Sequence, residues 1–450
     1  MTQLPLRAQL ASALGRTAAT LSRATGRGDG SVIGGRVGLV LEPDLLRKLA
    51  RDRRLALVSA TNGKTTTTRL ITSALQELGD VATNAFGANM PAGHVSALSS
   101  AKDAPYGVLE VDEKYLPEVI ETTGAGVVVL MNLSRDQMDR AAEIWLLAQK
   151  WRRALVARNT HVIANADDPL VAWGASTAAR VTWVSVGQPW KEDSWCCPEC
   201  GGPLDRGGMD YVPPGGHAPG VAVRQADGGV PAAPGSPAGP GGPGGGLAEN
   251  DWACRECSFR RPAPSWFLDG DTVVDPRGQR WPLDIRLPGR ANRANAVVAL
   301  ATAEAFGLPV QRALPRLAEV TSVAGRYTTV EREGRQARLL LAKNPAGWLE
   351  AFDVLDPALP VILSVNAQGP DGRDTSWLWD VDYRVLRGRP VYVTGERRLD
   401  LALRLDVAEV PFQLTESFGH ALAVQPPGKV DVIANYTAFQ QIRSEFGRAV

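Results

Sequence analysis

Short runs of β-branched and aliphatic residues recur along the first half of the chain, and amphipathic stretches of helical period fill the gaps between them. Leu55–Ala60, Tyr106–Val111, Val127–Asn132 and Thr160–Asn165 read as buried strands, and Thr65–Leu78 as a helix following the first. This alternation, running from about 38 to 186, predicts a largely parallel sheet with helices on both faces. A further helix is expected over about Arg290–Phe306. A second βα series then begins, with strands at Ala337–Ala342, Val361–Asn366, Val391–Thr394, Glu409–Leu414 and Val430–Asn435. The fold class is α/β: a central domain over 38–325 and a smaller C-terminal α/β domain over 326–450. Residues 1–37 form a helical segment, because Leu6–Leu21 is amphipathic with arginines at 7, 16 and 23. That stretch lacks the uninterrupted apolar core of an export signal, and no run is long enough to cross a bilayer, so the chain is expected to be cytoplasmic.

One segment breaks the pattern. Residues 213–246 are dominated by Pro, Gly and Ala and bury too little apolar surface to order themselves, so a disordered loop is expected. On either side of it stand all five cysteines, as Cys196-Cys197-Pro-Glu-Cys200 and Cys254-Arg-Glu-Cys257. Two C-x-x-C knuckles present four thiolates, and Cys197, Cys200, Cys254 and Cys257 suit a tetrahedral Zn²⁺. Cys196 is the bystander, although a C-x₃-C pairing with Cys200 has similar reach, and two redox dithiols would share the spacing. Four thiolates saturate zinc, so the metal would be structural, in a ribbon inserted at 192–268.

The 450 residues carry a net charge of +1, which gives no electrostatic argument for nucleic acid. The chemistry is concentrated after the first strand, in Thr61-Asn62-Gly63-Lys64-Thr65-Thr66. A buried strand, a glycine turn and a helix start direct backbone N–H groups and the helix dipole at an anion. Lys64 adds a full charge, and the Thr65 hydroxyl can hold Mg²⁺. Val58 stands where a complete P-loop has its first glycine, so the motif is partial, but it points to ATP. Glu110 and Asp112 end the next strand, and Glu110 is the candidate Mg²⁺ ligand. Asn132 and Asp136 follow the third strand, and Asn165-Ala-Asp-Asp168-Pro ends the fourth, where Asp168 either reaches nucleotide or closes an Asx turn. Asn292 and Asn295 share one face of their helix, and their carboxamides suit the edge of adenine.

Together these blocks resemble the ordered signatures of the Mur ligases, which join amino acids to peptidoglycan precursors through an acyl phosphate. The resemblance runs through Ala-Thr-Asn62-Gly63-Lys64-Thr65, Leu-Glu110-Val-Asp, Asn132-Leu-Ser-Arg-Asp136-Gln137-Met-Asp139-Arg140, Asn165-Ala-Asp-Asp168-Pro and Gly289-Arg-Ala-Asn292-Arg-Ala-Asn295. It continues in Gly325-Arg326-Tyr327 and Ala342-Lys343-Asn344-Pro345. It implies a Mur-ligase-type ATPase domain and a Rossmann-like C-terminal domain, with Lys64 and Arg326 stabilising charge on the transferring phosphoryl group. The Cys₄ ribbon and the acidic-tryptophan segment Asp371-Gly-Arg-Asp374-Thr-Ser-Trp377-Leu-Trp379-Asp380 resemble the amidating branch of that family. This implies conversion of the α-carboxylate of the D-glutamate in lipid II to D-isoglutamine at the inner membrane face. Ammonia would come from a GatD-type glutaminase subunit in a heterodimer. Within the segment Asp374, ahead of Asp380, is expected to orient the partner's catalytic histidine, with the tryptophans as docking anchors.

Three positions depart from the wider pattern. Gln137 replaces a metal-binding histidine, Ala60 stands where the loop commonly has glycine, and no lysine, Lys150 included, aligns with the carbamylated one. Every cysteine lies in the ribbon region and the histidines at 94, 161, 217 and 420 fall in unrelated contexts, so a Cys–His glutaminase is not expected within this chain. An amino-acid-adding ligase of the Mur or folylpolyglutamate synthetase type is the alternative enzyme. A zinc-ribbon NTPase acting on nucleic acid is the alternative from another class.

Overall fold

In the computed structural model the described residues are 4–25, 30–84, 87–136, 143–156, 158–207, 250–321 and 327–446. Arg326, Gln137 and the segment 213–246 lie outside them. Strands β1 (Arg54–Ser59), β2 (Val81–Thr83), β3 (Tyr106–Glu110), β4 (Val127–Leu130), β5 (His161–Asn165) and β6 (Arg180–Ser185) form the parallel part of a large sheet. Two short antiparallel strands, β7 (Leu204–Arg206) and β8 (Trp252–Cys254), make the ribbon. The chain then rejoins the large sheet through β9 (Trp266–Asp269), β10 (Thr272–Val274) and β11 (Arg280–Pro282), and β9 lies parallel to β6. The resulting order is β11-β10-β9-β6-β5-β4-β1-β3-β2.

Two apolar layers sandwich this sheet, as a parallel sheet buried on both faces requires. On one side lie the helices Lys64–Leu75 and Arg290–Ala305, packed on Val58, Val108 and Val129. On the other, Leu57, Leu109 and Val128 meet helices Leu45–Ala50, Leu116–Thr123 and Ile144–Leu155. Alternate residues of one strand thus enter different cores. The first strand-end loop is held rigid from both sides.

The second sheet is β12 (Tyr327–Arg332), β13 (Arg335–Leu341), β14 (Val361–Ser364), β15 (Val391–Thr394), β16 (Gln413–Leu414) and β17 (Gly428–Ala434), in the order β12-β13-β17-β14-β15-β16. All its pairs are parallel except the β12–β13 hairpin. The strand expected at Glu409–Leu414 shrinks to its last two residues. After the helix Arg398–Val407 the chain turns at Glu409 with φ 55°, a left-handed conformation that no strand accommodates. The helix expected to reach Leu78 ends at Leu75. Amphipathic Leu6–Leu21 is a helix, extending to Ala24.

Candidate active site

The loop Thr61–Gly63 joins the carboxyl end of β1 to the helix Lys64–Leu75, where parallel sheets bind ligands. Gly63 takes φ 82° as that helix's N-cap. A Cβ there would come within 2.8 Å of the Asn295 Oδ1 and 3.0 Å of Met131 Cε, so conformation and space both demand glycine. Residues after β4 brace the loop. The Asn62 N–H donates to Asn132 Oδ1 at 2.9 Å, and Asn132 Nδ2 donates back to the Asn62 carbonyl at 3.1 Å. The Ser134 N–H donates to Thr61 Oγ1, which itself donates to the Ser134 carbonyl. Asn132, read as one of a strand-end cluster, is therefore a clamp on the loop. Lys64 is buried, its ammonium folded back on the Ala60 carbonyl and paired with Glu113 Oε2 at 3.0 Å. Thr66 is buried and Thr65 half-buried on the first turn.

One strand over, Glu110 closes β3 beside Val58 and is 3% exposed. Its backbone is pinned three ways: Asn84 Nδ2 donates to its carbonyl, its N–H donates to Asn84 Oδ1, and His94 Nε2 donates to the same carbonyl, all at 2.8 Å. Burial holds the His94 pKa down at about 4, which keeps that imidazole neutral. Asp112 is half-buried and accepts the Lys114 N–H. Glu110, Glu113 and Lys64 thus bring two carboxylates and one cation to neighbouring strand ends, a set suited to a metal-bound triphosphate. Glu113, Asn84 and His94 carried no motif, and only the fold brings them here.

The second α/β unit covers the loop. Asn62 Nδ2 donates to Asn344 Oδ1 at 3.1 Å, Asn344 Nδ2 donates to Asn62 Oδ1 at 3.4 Å, and Lys343 pairs with Asp136. Beneath this closure a pocket runs from Asn62 and Asn132 past Gly187–Trp190 to Arg290, Asn295 and Glu350. Asn295 lines it. Asn292, expected at the ligand, lies behind: its Nδ2 donates to the Pro288 carbonyl and its Oδ1 accepts from Asn295 at 3.5 Å. Asp168 borders the pocket, but its oxygens are engaged. Oδ1 caps the helix Pro169–Ala175 through the Leu170 and Val171 N–H groups, and Oδ2 accepts the Leu133 N–H. Of the two roles open to Asp168, the turn is the one it fills. Lys150 is exposed on Ile144–Leu155.

The acidic-tryptophan segment separates its acids. Asp371 accepts from the Thr437 N–H and hydroxyl. Asp380 faces Arg135 at 3.4 Å, and Arg135 also pairs with Asp193. Partial burial raises the Asp380 pKa, opposed by Arg135. Asp374 is exposed, accepting the Ser376 N–H at 2.8 Å, which lowers its pKa. Trp377 packs on Trp348 in the core, whereas Trp379 is 54% exposed beneath the Arg404 guanidinium. One tryptophan is core and one is surface.

In the ribbon the four sulfurs of Cys197, Cys200, Cys254 and Cys257 lie within 4.8 Å of one another. Cys197–Cys257 is 3.7 Å and Cys200–Cys254 3.5 Å, close to the ~3.8 Å edge of a tetrahedron with ~2.3 Å zinc–sulfur bonds. Gly202, Glu256 and Phe259 donate N–H groups to three of the sulfurs, stabilising thiolates. The donor set fits zinc. Cys196 is exposed and outside the cluster.

Comparison with known proteins agrees with this geometry. Residues 58–194 match the Mur ligase middle domain, and residues 341–439 match the family described as MurT ligase C-terminal. The MurT subunit of lipid II isoglutaminyl synthase (glutamine-hydrolyzing) of Staphylococcus aureus (strain COL) is 29% identical over 457 residues, 97% of each chain. The subunit of the same name from Streptococcus pneumoniae (strain ATCC BAA-255 / R6) is 27% identical over 450 residues, 92% of each chain. Among solved structures, a pseudomurein peptide ligase type C from Methanothermus fervidus is similar at TM-score 0.64 and 15% identity, covering 89% of this chain and 80% of that one. This last likeness bears on the fold alone.

Proposed function

The chain belongs to the Mur ligase family, and on that premise we propose that it is the synthetase subunit of a lipid II isoglutaminyl synthase, using ATP, Mg²⁺ and a structural Zn²⁺. The observation that carries the reading is the braced loop Thr61–Lys64 at the end of β1, flanked by Glu110 and closed by Asn344. ATP with Mg²⁺ supplies a phosphoryl group that activates the D-glutamate α-carboxylate as an acyl phosphate, with ADP leaving. The loop N–H groups and Lys64 hold the phosphates, Lys64 exchanging Glu113 for them. Thr65 and Glu110 would hold Mg²⁺, Asn295 would contact the base with Asn292 supporting it, and Arg326 would share with Lys64 the stabilisation of charge on the transferring group. Ammonia then attacks the acyl carbon, inorganic phosphate leaves and a proton is released.

The ammonia comes from a GatD-type glutaminase subunit in a heterodimer. Four of the five cysteines share one cluster. His94 and His161 bond elsewhere, to the Glu110 carbonyl and the Thr182 hydroxyl. Exposed Asp374 is the group offered to the partner's histidine. No helix among the described residues is long and apolar enough to cross a membrane, and the reaction takes place at the cytoplasmic face, where lipid II is made.

The test incubates the chain and a GatD-type glutaminase with lipid II, ATP and glutamine, followed by mass spectrometry. A loss of about one dalton per chain of product, as acid becomes amide, is expected. ADP release that requires an amino acid and ignores ammonia would instead identify an amino-acid-adding ligase. Stimulation by DNA or RNA would revive the nucleic-acid reading.

A further inference from the structure

The helix Leu6–Ala24 is built inside out. A surface helix of a soluble protein normally buries its leucines. Here Ala8, Ala11, Ser12, Gly15 and Ala19 face inward, while Leu6, Leu10, Leu14 and Leu21 are 73%, 56%, 52% and 59% exposed. Their spacing places all four on one face. The arrangement cannot be relieved by rotation. A Cβ on Gly15 would come 2.5 Å from the Gly34 carbonyl of the neighbouring helix Ile33–Leu41, so only the small-residue face fits there. Arg7 Nε donates to the Leu41 carbonyl, which sets Val40, 81% exposed, near the start of the leucine face.

The charges around this face are mostly positive, although buried Glu42 lies 3.9 Å from Arg7 Nε and pairs with Lys48 at 2.6 Å. Arg7 borders the leucines on one side; Arg16 and Arg23 lie further round the helix, beside its buried face, where Arg16 donates to Ser12 Oγ and the Ser99 carbonyl. Neither helix contains an acidic residue, and Arg36 lies on the second. Beside Leu6 and Leu10 a groove adds Lys48, Arg53 and Lys102, against Asp52 and Asp103. Arg53 spends one nitrogen on the Ala101 and Lys102 carbonyls, and its shielded Nε and Nη1 have no hydrogen-bond partner among the described residues. We propose that this leucine face, bordered by Arg7 and the cations of the adjoining groove, docks the protein on an anionic lipid bilayer, with the helix lying in the headgroup plane. Outward leucines enter the acyl boundary and cations meet lipid phosphates, the two contributions that make interfacial helices bind. The inference stands on these helices and not on the reaction.

The experiment is co-sedimentation of the full chain with phosphatidylglycerol or phosphatidylcholine vesicles, alongside light scattering to give the mass in solution. We expect binding to phosphatidylglycerol that is at least about tenfold weaker on phosphatidylcholine. Leu10→Gln/Leu14→Gln should weaken it by about tenfold or more at unchanged melting temperature, and Arg7→Glu/Arg23→Glu should do the same through charge. Equal sedimentation with both lipids, no sedimentation, or indifference to both variants would overturn the proposal. So would a dimer that the leucine variant dissolves, since the occupant would then be a second copy.

Discussion

Asn62 and Asn344 exchange carboxamide hydrogen bonds across 282 residues of sequence, locking the loop after β1 to the first helix of the second α/β unit. Asn344 also caps that helix through the Gly347 N–H. The pair is a seam between the loop and the second α/β unit, and under the proposed function closure over nucleotide would depend on it. Asn344→Ala loses both, at about 1 kcal/mol each, and should raise the KM for ATP roughly tenfold while lowering the melting temperature. Asn344→Asp keeps the cap, so its melting temperature should hold while ATP binding, read by calorimetry, still weakens.

Lys64 neutralises Glu113 and, under the proposed function, holds phosphate, and mutation separates the two. Lys64→Ala should lower ADP production by about a hundredfold or more, since the cation opposite developing charge is lost. It also strands the largely buried Glu113. Lys64→Ala/Glu113→Gln should therefore recover melting temperature and none of the turnover. Recovery of turnover would remove Lys64 from the phosphate site.

Asp374 and Asp380 can be distinguished by nitrogen source. In the complex, Asp374→Asn should suppress glutamine-dependent amidation by about a hundredfold and leave ammonia-dependent amidation intact. Asp380→Asn loses only the partly exposed Arg135 contact, worth about 0–1 kcal/mol, and should spare both. The opposite pattern would reverse the two roles.

The ribbon should carry one zinc per chain, counted by native mass spectrometry. Cys254→Ser should lose the metal, because three thiolates no longer close the site. Cys196→Ser should keep it. The loss should lower the melting temperature with less effect on ATP affinity.

His94 predicts a pH dependence. Burial depresses its pKa from 6.5 to about 4, so below 6.5 the unfolded chain takes up a proton that the folded chain refuses. The stabilisation is complete above 6.5 and fades as pH falls toward 4. Burial of Asp168 acts in the opposite sense, its pKa raised from 3.8 to about 6, so stability drops as pH rises between those values. The useful quantity is consequently the difference from His94→Gln, which keeps a donor to the Glu110 carbonyl. That difference in unfolding free energy should change by about 1.4 kcal/mol per pH unit between 4 and 6.5 and be flat above 7. A flat difference throughout would contradict it.

The parts of the site written locally were legible in the sequence. An apolar run before Gly63-Lys64-Thr65 implied β1, the turn and the helix, and the repeated C-x-x-C spacing implied the cluster. Groups that reach the site only through the fold were not. Glu113 carries no motif, and only β3 and its following turn bring it to Lys64, while Asn344 meets Asn62 only once two sheets are docked. The strands β9, β10 and β11, three or four residues each, are too short to show a period. The amphipathicity of Leu6–Leu21 was plain, but its direction was not, since glycine contacts rather than leucines decide which side faces in.

The ribbon has its exit and re-entry on adjoining strands, where Val184 and Ser185 of β6 align with Trp266 and Phe267 of β9. A lineage could therefore shed the whole excursion without re-threading the sheet. What it would have to replace is a set of latches around β5 and the helices beside it: Trp252 Nε1 donating to the Ala166 carbonyl, Arg261 paired with Asp167, Trp145 Nε1 donating to the Pro198 carbonyl, and Ala172 packed on Cys197 and Leu204. The cysteine cluster thus belongs to an excursion that starts and ends on two neighbouring strands, apart from the loop at the end of β1.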